Sequence, residues 1–213
     1  MKIAIIGATG GTGISFIEQA TARGHEITAL ARTPAKLNAL ANRIHVMQAD
    51  ARSTTSLQKA LSQPFDAVVC IVGANGLLEA RKVTDLYSVT ALNLLSAMES
   101  CGLRRLISVS SSGVEPQAND NWLYVHVLKR FFLQPMYEDM LRMEALIKSS
   151  AMNYTLVRPP YLTSGDPTGN YRISTEGNFT DDRSLRRGDL AHFLLKAVQA
   201  PEAYLRKTVA LSE

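Results

Sequence analysis

The feature that most constrains this chain is a glycine-rich segment near its start, Gly7-Ala8-Thr9-Gly10-Gly11-Thr12-Gly13. It follows an apolar run, Lys2–Ile6, that is typical of a buried strand, and it opens a helical pattern over Thr12–Arg23. Glycines at this spacing allow a tight turn and let the backbone touch a phosphate group at which helix N–H groups point. A purely structural turn is the alternative, but the strand-loop-helix context favours a dinucleotide site. We therefore predict cofactor-binding roles for Gly7, Thr9, Gly10, Gly11, Thr12 and Gly13.

Strand and helix patterns alternate along the rest of the chain. Repeated alternation of this kind predicts an α/β fold of the Rossmann type, a doubly wound and mostly parallel sheet with helices on both faces. The whole of residues 1–213 is predicted to form a single domain, because no linker or repeat interrupts the pattern. The predicted strands are Lys2–Ile6, His25–Ala31, Ile44–Gln48, Phe65–Val72, Arg104–Val109, Tyr154–Arg158 and Lys207–Leu211, and the predicted helices are Thr12–Arg23, one from Pro34, Thr54–Leu61, Glu79–Ser100, Tyr137–Ser150 and Gly188–Gln199.

Two stretches, Ser111–Asn121 and Pro159–Arg187, resist assignment to a helix or a strand. Each follows the carboxyl end of a predicted strand, which is the edge where open α/β sheets bind their ligands. We predict that these substrate-side loops carry the function. Ser110 and Pro159, at the ends of the same two strands, are assigned to the cofactor site.

The end of the second predicted strand indicates which dinucleotide binds. NAD-binding proteins place a carboxylate there for the ribose hydroxyls, whereas this chain has Arg32, followed one helical turn later by Lys36. Two cations at this place favour a 2′-phosphate and therefore NADPH; the alternative is that Arg32 is an ordinary surface residue. Asp50 and Ala51 are expected beside the adenine, and Val72 with Gly73 beside the nicotinamide ribose.

The tyrosine-lysine pair of many short-chain dehydrogenases, Tyr-x-x-x-Lys, is missing from the sequence. Lys129 follows Tyr124 by five residues instead of four, and the residue four positions after Tyr154 is Arg158 rather than lysine. Alcohol oxidation by a tyrosinate base is therefore not expected. A serine cluster, residues 110–112, stands at the end of the fifth strand, where it either serves the chemistry or caps the following turn.

Composition and charge exclude several other classes of protein. The net charge is +4, but the basic pairs are spread over separate elements without interleaved aromatics, so nucleic-acid binding is not expected. Cys70 and Cys101 lack motif spacing and the four histidines are scattered, which argues against a disulfide framework or a metal site. No stretch approaches the roughly 20 apolar residues needed to span a bilayer. A cytoplasmic protein that does not associate with membranes is expected.

The motifs together resemble the atypical short-chain dehydrogenase/reductases called NmrA-like, and within them the biliverdin-IX beta reductase/flavin reductase group. The resemblance covers nearly the whole chain. It is carried by the glycine loop and Arg32, and outside the cofactor half by Arg142-Met143-Glu144, Tyr154-Thr155-Leu156-Val157-Arg158-Pro159-Pro160, Pro167-Thr168-Gly169-Asn170-Tyr171 and Asp189-Leu190-Ala191-His192-Phe193.

This resemblance implies that NADPH passes hydride directly to a flat acceptor such as a flavin, a quinone or a bile pigment. By the same resemblance Ser111 corresponds to the active-site serine of the group, whereas Met140 stands where biliverdin reductases carry a histidine. Asp139 and Tyr137 are the candidates to take over that proton role. The substitution favours flavin or quinone reduction over biliverdin reduction.

Two other functions remain open from the sequence. Some NmrA-like proteins bind the dinucleotide without turnover and act as redox sensors through a partner protein. A sugar-nucleotide epimerase is the third option, although it needs the missing tyrosine-lysine pair. Neither the acceptor nor the oligomeric state is encoded in a readable motif.

Overall fold

Strands and helices alternate along the chain, as the hydrophobic pattern predicts. The computed structural model describes residues 1–73, 85–115, 133–181 and 184–213. The strands are β1 (Lys2–Ile6), β2 (Glu26–Ala31), β3 (His45–Gln48), β4 (Ala67–Cys70), β5 (Arg105–Val109), β6 (Asn153–Arg158), β7 (Tyr161–Thr163), β8 (Arg172–Ser174), β9 (Ser184–Arg186) and β10 (Lys207–Ser212). The α-helices are α1 (Gly11–Ala22), α2 (Thr54–Ala60), α3 (Leu86–Ser100), α4 (Gln134–Ser149), α5 (Arg187–Gln199) and α6 (Pro201–Tyr204), and 3-10 helices span Pro34–Leu40 and Ser112–Val114.

Eight of the strands form one sheet in the order β3-β2-β1-β4-β5-β6-β10-β8. All neighbouring pairs run parallel except β10 and β8, which run antiparallel. The chain order reverses direction between β1 and β4, and such a switch point creates a crevice at the carboxyl ends of the strands. The predicted doubly wound, mostly parallel α/β fold of the Rossmann type is confirmed.

Each face of the sheet carries its own apolar core. Alternate residues of one strand point to opposite faces, so Ile3 and Ile5 join the core beneath α1 and α5, while Ala4 and Ile6 join the core beneath α2, α3 and α4. The helices therefore cover both faces, as predicted. In the described part of the chain, no helix is long and apolar enough to cross a membrane.

Residues 159–187 contain more regular structure than the sequence predicts. Strands β7 and β9 pair in parallel as a separate two-stranded sheet, and β8 extends the main sheet at its β10 edge. Each of these strands is only three residues long, too short for alternation of apolar and polar residues to be visible. The long helix expected over Glu79–Ser100 is observed from Leu86 onward, and residues 79–84 lie outside the described part.

A buried ion pair joins α4 to β6 and so connects two of the resemblance segments. Arg158 donates from Nε and Nη2 to the two carboxylate oxygens of Glu144, at 2.8 and 2.7 Å. Lys148 and Glu115 extend the pair, at 2.9 Å from Glu144 and 2.6 Å from Arg158. Burial alone would raise the pKa of Glu144, but the hydrogen bonds and charge of Arg158 lower it below the ordinary glutamate value. The pair fixes α4 against the strand that leads to Pro159.

We expect Arg158→Met and Glu144→Leu each to reduce the free energy of unfolding by about 3–5 kcal/mol, because each leaves one buried charge without its main partner. The double variant should lose less than the sum of the two single losses, since Lys148 and Glu115 are exposed enough to be hydrated (42% and 50%). Urea unfolding at neutral pH measures all three. Strictly additive losses would contradict a coupled pair.

Candidate functional site

The glycine loop connects β1 to α1, and two of its glycines are required by the fold itself. Gly7 has φ of +89°, a conformation that side chains disfavour, and a Cβ there would stand 2.3 Å from the Ile71 carbonyl oxygen. A Cβ at Gly13 would stand 2.4 Å from the Gly7 carbonyl oxygen. The helix can therefore pack directly against the end of the strand only if both positions lack a side chain.

Gly10 is different, because the fold does not need a glycine there. A Cβ on Gly10 would meet only the Gly7 carbonyl oxygen, at an ordinary 3.6 Å. Gly10 is also the N-cap residue of α1, and no side chain of the described residues caps the N–H groups of the first turn. Uncapped N–H groups at the start of a helix attract an anion. These features fit the pyrophosphate of a dinucleotide, which needs close approach at Gly10 rather than at Gly7 or Gly13.

A cleft of about 580 Å³ runs across the carboxyl ends of the central strands, where the chain order reverses. Its volume lies within the usual range for sites that bind small organic molecules. The structure brings to this cleft the residues that the sequence assigns to the cofactor site, together with Ser111: Gly7, Thr9, Gly10, Gly11, Thr12, Gly13, Arg32, Lys36, Asp50, Ala51, Val72, Gly73, Ser110, Ser111 and Pro159. Their individual roles remain predictions. Asp139 and Tyr137, the candidates for the proton role, are not among the lining residues.

Cations line the end of the cleft beside β2 and β3. Arg32 follows β2, and Lys36 lies in the 3-10 helix that Pro34 begins. Both side chains are exposed, and neither forms an ion pair or hydrogen bond with the described residues. Arg52, which the sequence analysis missed, also lines the cleft but donates to both carboxylate oxygens of Asp85 at 3.0 Å. At this end of the cleft, Arg32 and Lys36 are therefore two described cations that are available to an anionic ligand.

Turn contacts fix the backbone beside Arg52. Asp50 Oδ1 accepts a hydrogen bond from the Arg52 N–H at 3.0 Å, a turn that aspartate favours. The Asp50 N–H in turn donates to the Ser56 hydroxyl at 3.0 Å, and Ser53 caps α2 by accepting from the Ser56 N–H at 3.2 Å. The Asp50–Ala51 segment thus has a defined position on the cleft wall.

The serines at the end of β5 make different contacts. Ser111 accepts a hydrogen bond from the Gly113 N–H at 3.2 Å and so caps the short 3-10 turn. That bond leaves its O–H hydrogen free to donate. The Ser110 hydroxyl is buried, helps to lower the pKa of Glu144, and forms no hydrogen bond of normal geometry with the described residues. Capping, one of the two roles considered for the cluster, is therefore observed for Ser111.

The opposite end of the cleft is mostly apolar. Met140 lies there, buried, at the position where the resemblance places a histidine in biliverdin reductases. Separate elements of the fold contribute the other apolar residues that line this end of the cleft, and no local sequence signal marks them: Leu86, Met136, Pro160, Leu162 and Leu190. These walls suit a flat apolar ring system better than a sugar.

Asp139, considered above as a proton donor, is committed elsewhere. Its carboxylate is fully buried and accepts from the backbone N–H of Tyr87 at 2.7 Å, from the N–H of Ser88 at 3.3 Å, and from the Ser88 hydroxyl. It therefore caps the N-terminus of α3 from a neighbouring helix, where a carboxylate also favours the helix dipole. Tyr137 packs against the Gly113 backbone, where an added Cβ would stand 2.5 Å from the tyrosine hydroxyl.

Two further resemblance segments pair with each other beside the cleft. Asp189, fully buried in the first turn of α5, accepts hydrogen bonds from the N–H groups of Thr168 and Gly169 at 2.7 and 2.8 Å, and from the Thr168 hydroxyl at 2.9 Å. The Tyr171 hydroxyl lies 2.8 Å from His192 Nδ1, and burial raises the pKa of that hydroxyl. The 167–171 segment is thereby fixed to α5.

The chain is similar to known proteins over almost its whole length. The chain is 28% identical over 222 residues to the UPF0659 protein YMR090W of Saccharomyces cerevisiae. This alignment covers 99% of this chain and 92% of the yeast protein. Its fold is similar to that of a short-chain dehydrogenase/reductase from Veillonella parvula in complex with NADP (18% identity, TM-score 0.78, 100% of this chain and 94% of that one). It is also similar to ChuY, an anaerobilin reductase from Escherichia coli (21% identity, TM-score 0.76, 100% and 97%).

Residues 7–201 match the family described as NAD(P)H-binding, a span that includes the glycine loop, both serines and the Asp189 segment. The match agrees with the Rossmann fold of the structural neighbours and with the group of proteins that the motifs resemble. The chain belongs to the NAD(P)H-binding family.

Proposed function

We propose that this protein is an NADPH-dependent reductase that transfers hydride to a flat conjugated acceptor such as a flavin or a quinone. The observation that carries the proposal is that the two ends of this cleft differ in chemical character. One end has the glycine loop and cations that have no partner among the described residues, and the other has apolar walls around Ser110 and Ser111. A dinucleotide and an acceptor can therefore lie end to end within one site.

The residues present fit NADPH. The glycine loop and first turn of α1 would hold the pyrophosphate, while Arg32 and Lys36 would hold the 2′-phosphate. Asp50 and Ala51 would contact the adenine, and Val72 and Gly73 the nicotinamide ribose, with Ser110 and Pro159 as further cofactor contacts; all six residues line the cleft. The Veillonella parvula neighbour, solved with NADP, supports the same choice of cofactor.

For hydride transfer between two ring systems, the main task of the protein is to orient the donor and the acceptor. When bound, a reduced nicotinamide supplies the hydride. The described residues at the apolar end position the acceptor and exclude water, and the Ser111 O–H can donate to an acceptor oxygen or nitrogen. The absence of a Tyr-x-x-x-Lys pair from the sequence fits an acceptor that needs no alkoxide. The reductase ChuY, a structural neighbour, supports a reductase role.

A panel of acceptors tests the proposal directly. Purified protein should oxidise NADPH when FMN, riboflavin or a small quinone is added, and turn over more slowly with biliverdin, measured by the absorbance of NADPH. Gly10→Val is the matched control: a Cβ there makes only ordinary contact with the protein, whereas the added side chain would exclude the pyrophosphate, so the variant should fold and lose turnover. NADPH binding without turnover of any acceptor would overturn the reductase and favour the redox sensor.

Arg32 should determine the choice between the two dinucleotides. We expect NADPH to bind at least tenfold more tightly than NADH, about 1.4 kcal/mol, because Arg32 has no competing partner among the described residues. Arg32→Ala should remove most of this preference and leave the affinity for NADH nearly unchanged. Calorimetric titrations at fixed salt measure both. Equal affinities of the unmutated protein for NADPH and NADH would contradict the assignment.

Ser111 should assist catalysis without being indispensable. Ser111→Ala removes both an O–H donor and the cap of a short turn, and we expect the turnover rate to fall by less than about a hundredfold. Ser110→Ala provides the comparison, since its hydroxyl makes no turn contact. Steady-state kinetics with FMN at saturating NADPH give the rates. Complete loss of turnover in Ser111→Ala, with NADPH still bound, would show that Ser111 has a larger role than donor and cap.

A further inference from the structure

Arg187 occupies a position in the cleft that the glycine motif does not reveal. It is half-buried, begins α5 and lines the cleft together with the glycine loop. Its side chain lies over the first turn of α1: a Cβ on Gly11 would stand 2.9 Å from Arg187 Cδ and 3.6 Å from its Nε. A side chain at position 11 would therefore displace the Arg187 side chain from this place.

The backbone that carries Arg187 is fixed on several sides. A Cβ on Gly188 would stand 2.4 Å from the backbone nitrogen of Pro167, so the 165–167 backbone packs directly against this turn. The Gly188 carbonyl accepts a hydrogen bond from Gln19 Nε2 of α1 at 2.9 Å. The buried carboxylate of Asp189 holds the next residues of the same loop. The guanidinium is thus presented to the cleft from a rigid turn.

The charge of Arg187 has no partner in the described part of the chain. Its neighbour Arg186 lies 3.6 Å from Glu213, but Arg187 forms no ion pair and no side-chain hydrogen bond there. A cation at the start of α5 and over the start of α1 is disfavoured by both helix dipoles. Asp189, the acidic residue in the first turn of α5, is fully buried and already accepts three hydrogen bonds. This electrostatic arrangement is favourable when an anion lies between Arg187 and the first turn of α1.

We propose that Arg187 is a second binding element for the pyrophosphate of the dinucleotide. The inference rests on the proposed dinucleotide site and adds to it. The uncapped N–H groups of α1 contact the pyrophosphate from one side, and the Arg187 guanidinium contacts it from the α5 side. Arginine suits this role, because its planar group donates two parallel hydrogen bonds to phosphate oxygens.

The affinities for two ligands, one with a pyrophosphate and one without, distinguish the role of Arg187 from that of Arg32. In calorimetric titrations, Arg187→Met should weaken binding of NADP by at least tenfold, and Arg187→Lys should recover part of the loss. Adenosine 2′-monophosphate lacks a pyrophosphate, so its affinity should not change in Arg187→Met but should fall in Arg32→Ala. Arg186→Met, which removes the exposed neighbouring cation, is the matched control and should bind NADP within twofold of the unmutated protein.

Each outcome decides between the two proposals. NADP binding of unchanged affinity in a folded Arg187→Met variant would overturn the role of Arg187 and leave the reductase intact. An equal loss for NADP and adenosine 2′-monophosphate would also overturn it, because the effect would not follow the pyrophosphate. Failure of the unmutated protein to bind any dinucleotide would overturn the proposed function itself. Thermal unfolding of each variant verifies that the fold is retained.

Discussion

The contact between Gly13 and the Gly7 carbonyl oxygen determines where everything else in the cleft lies. The two residues approach so closely that a Cβ on Gly13 would stand 2.4 Å from that oxygen. This approach brings the start of α1 to the edge of the sheet, directly over the point where the strand order reverses. The N–H groups of the helix therefore face the crevice, and α5 can pack against α1 with Arg187 over its first turn.

The segments that carry the family resemblance outside the glycine-loop half of the chain contact one another, although they are distant in the sequence. Glu144 of one segment pairs with Arg158 of another, and Asp189 of a third holds Thr168 of a fourth. Both contacts bury a carboxylate and satisfy it with several donors, which is the condition under which a buried charge is tolerated. They hold the strand that leads to Pro159, a residue of the cleft lining, and attach the 167–169 segment to α5.

Local sequence signals predicted the cofactor half well. Strand β1, the glycine loop and Arg32 all lie as expected, because each depends on neighbours in the sequence: apolar alternation, turn conformation, and position at a strand end. Arg187 and Asp139 were not predictable in this way. Arg187 faces Gly11 only because α1 and α5 pack together, and Asp139 caps a helix that begins more than 50 residues before it.

The two ends of the cleft thus differ in how far their residues can be recognised from local sequence. In the proposed function, phosphate recognition would use the backbone N–H groups of the glycine loop, whose positions follow from a short motif, and cations that lie outside that motif. The proposed acceptor end is lined by side chains from α3, α4, β7 and α5. None of the described polar groups there is arranged as an acid-base pair: Ser111 caps a turn, Asp139 caps a helix, and the Met140 side chain has no exchangeable proton. A site built this way can orient a ring and exclude water but contributes little proton transfer. An acceptor whose reduced form takes its proton from water therefore fits it best, and flavins and quinones meet that condition without further help from the protein.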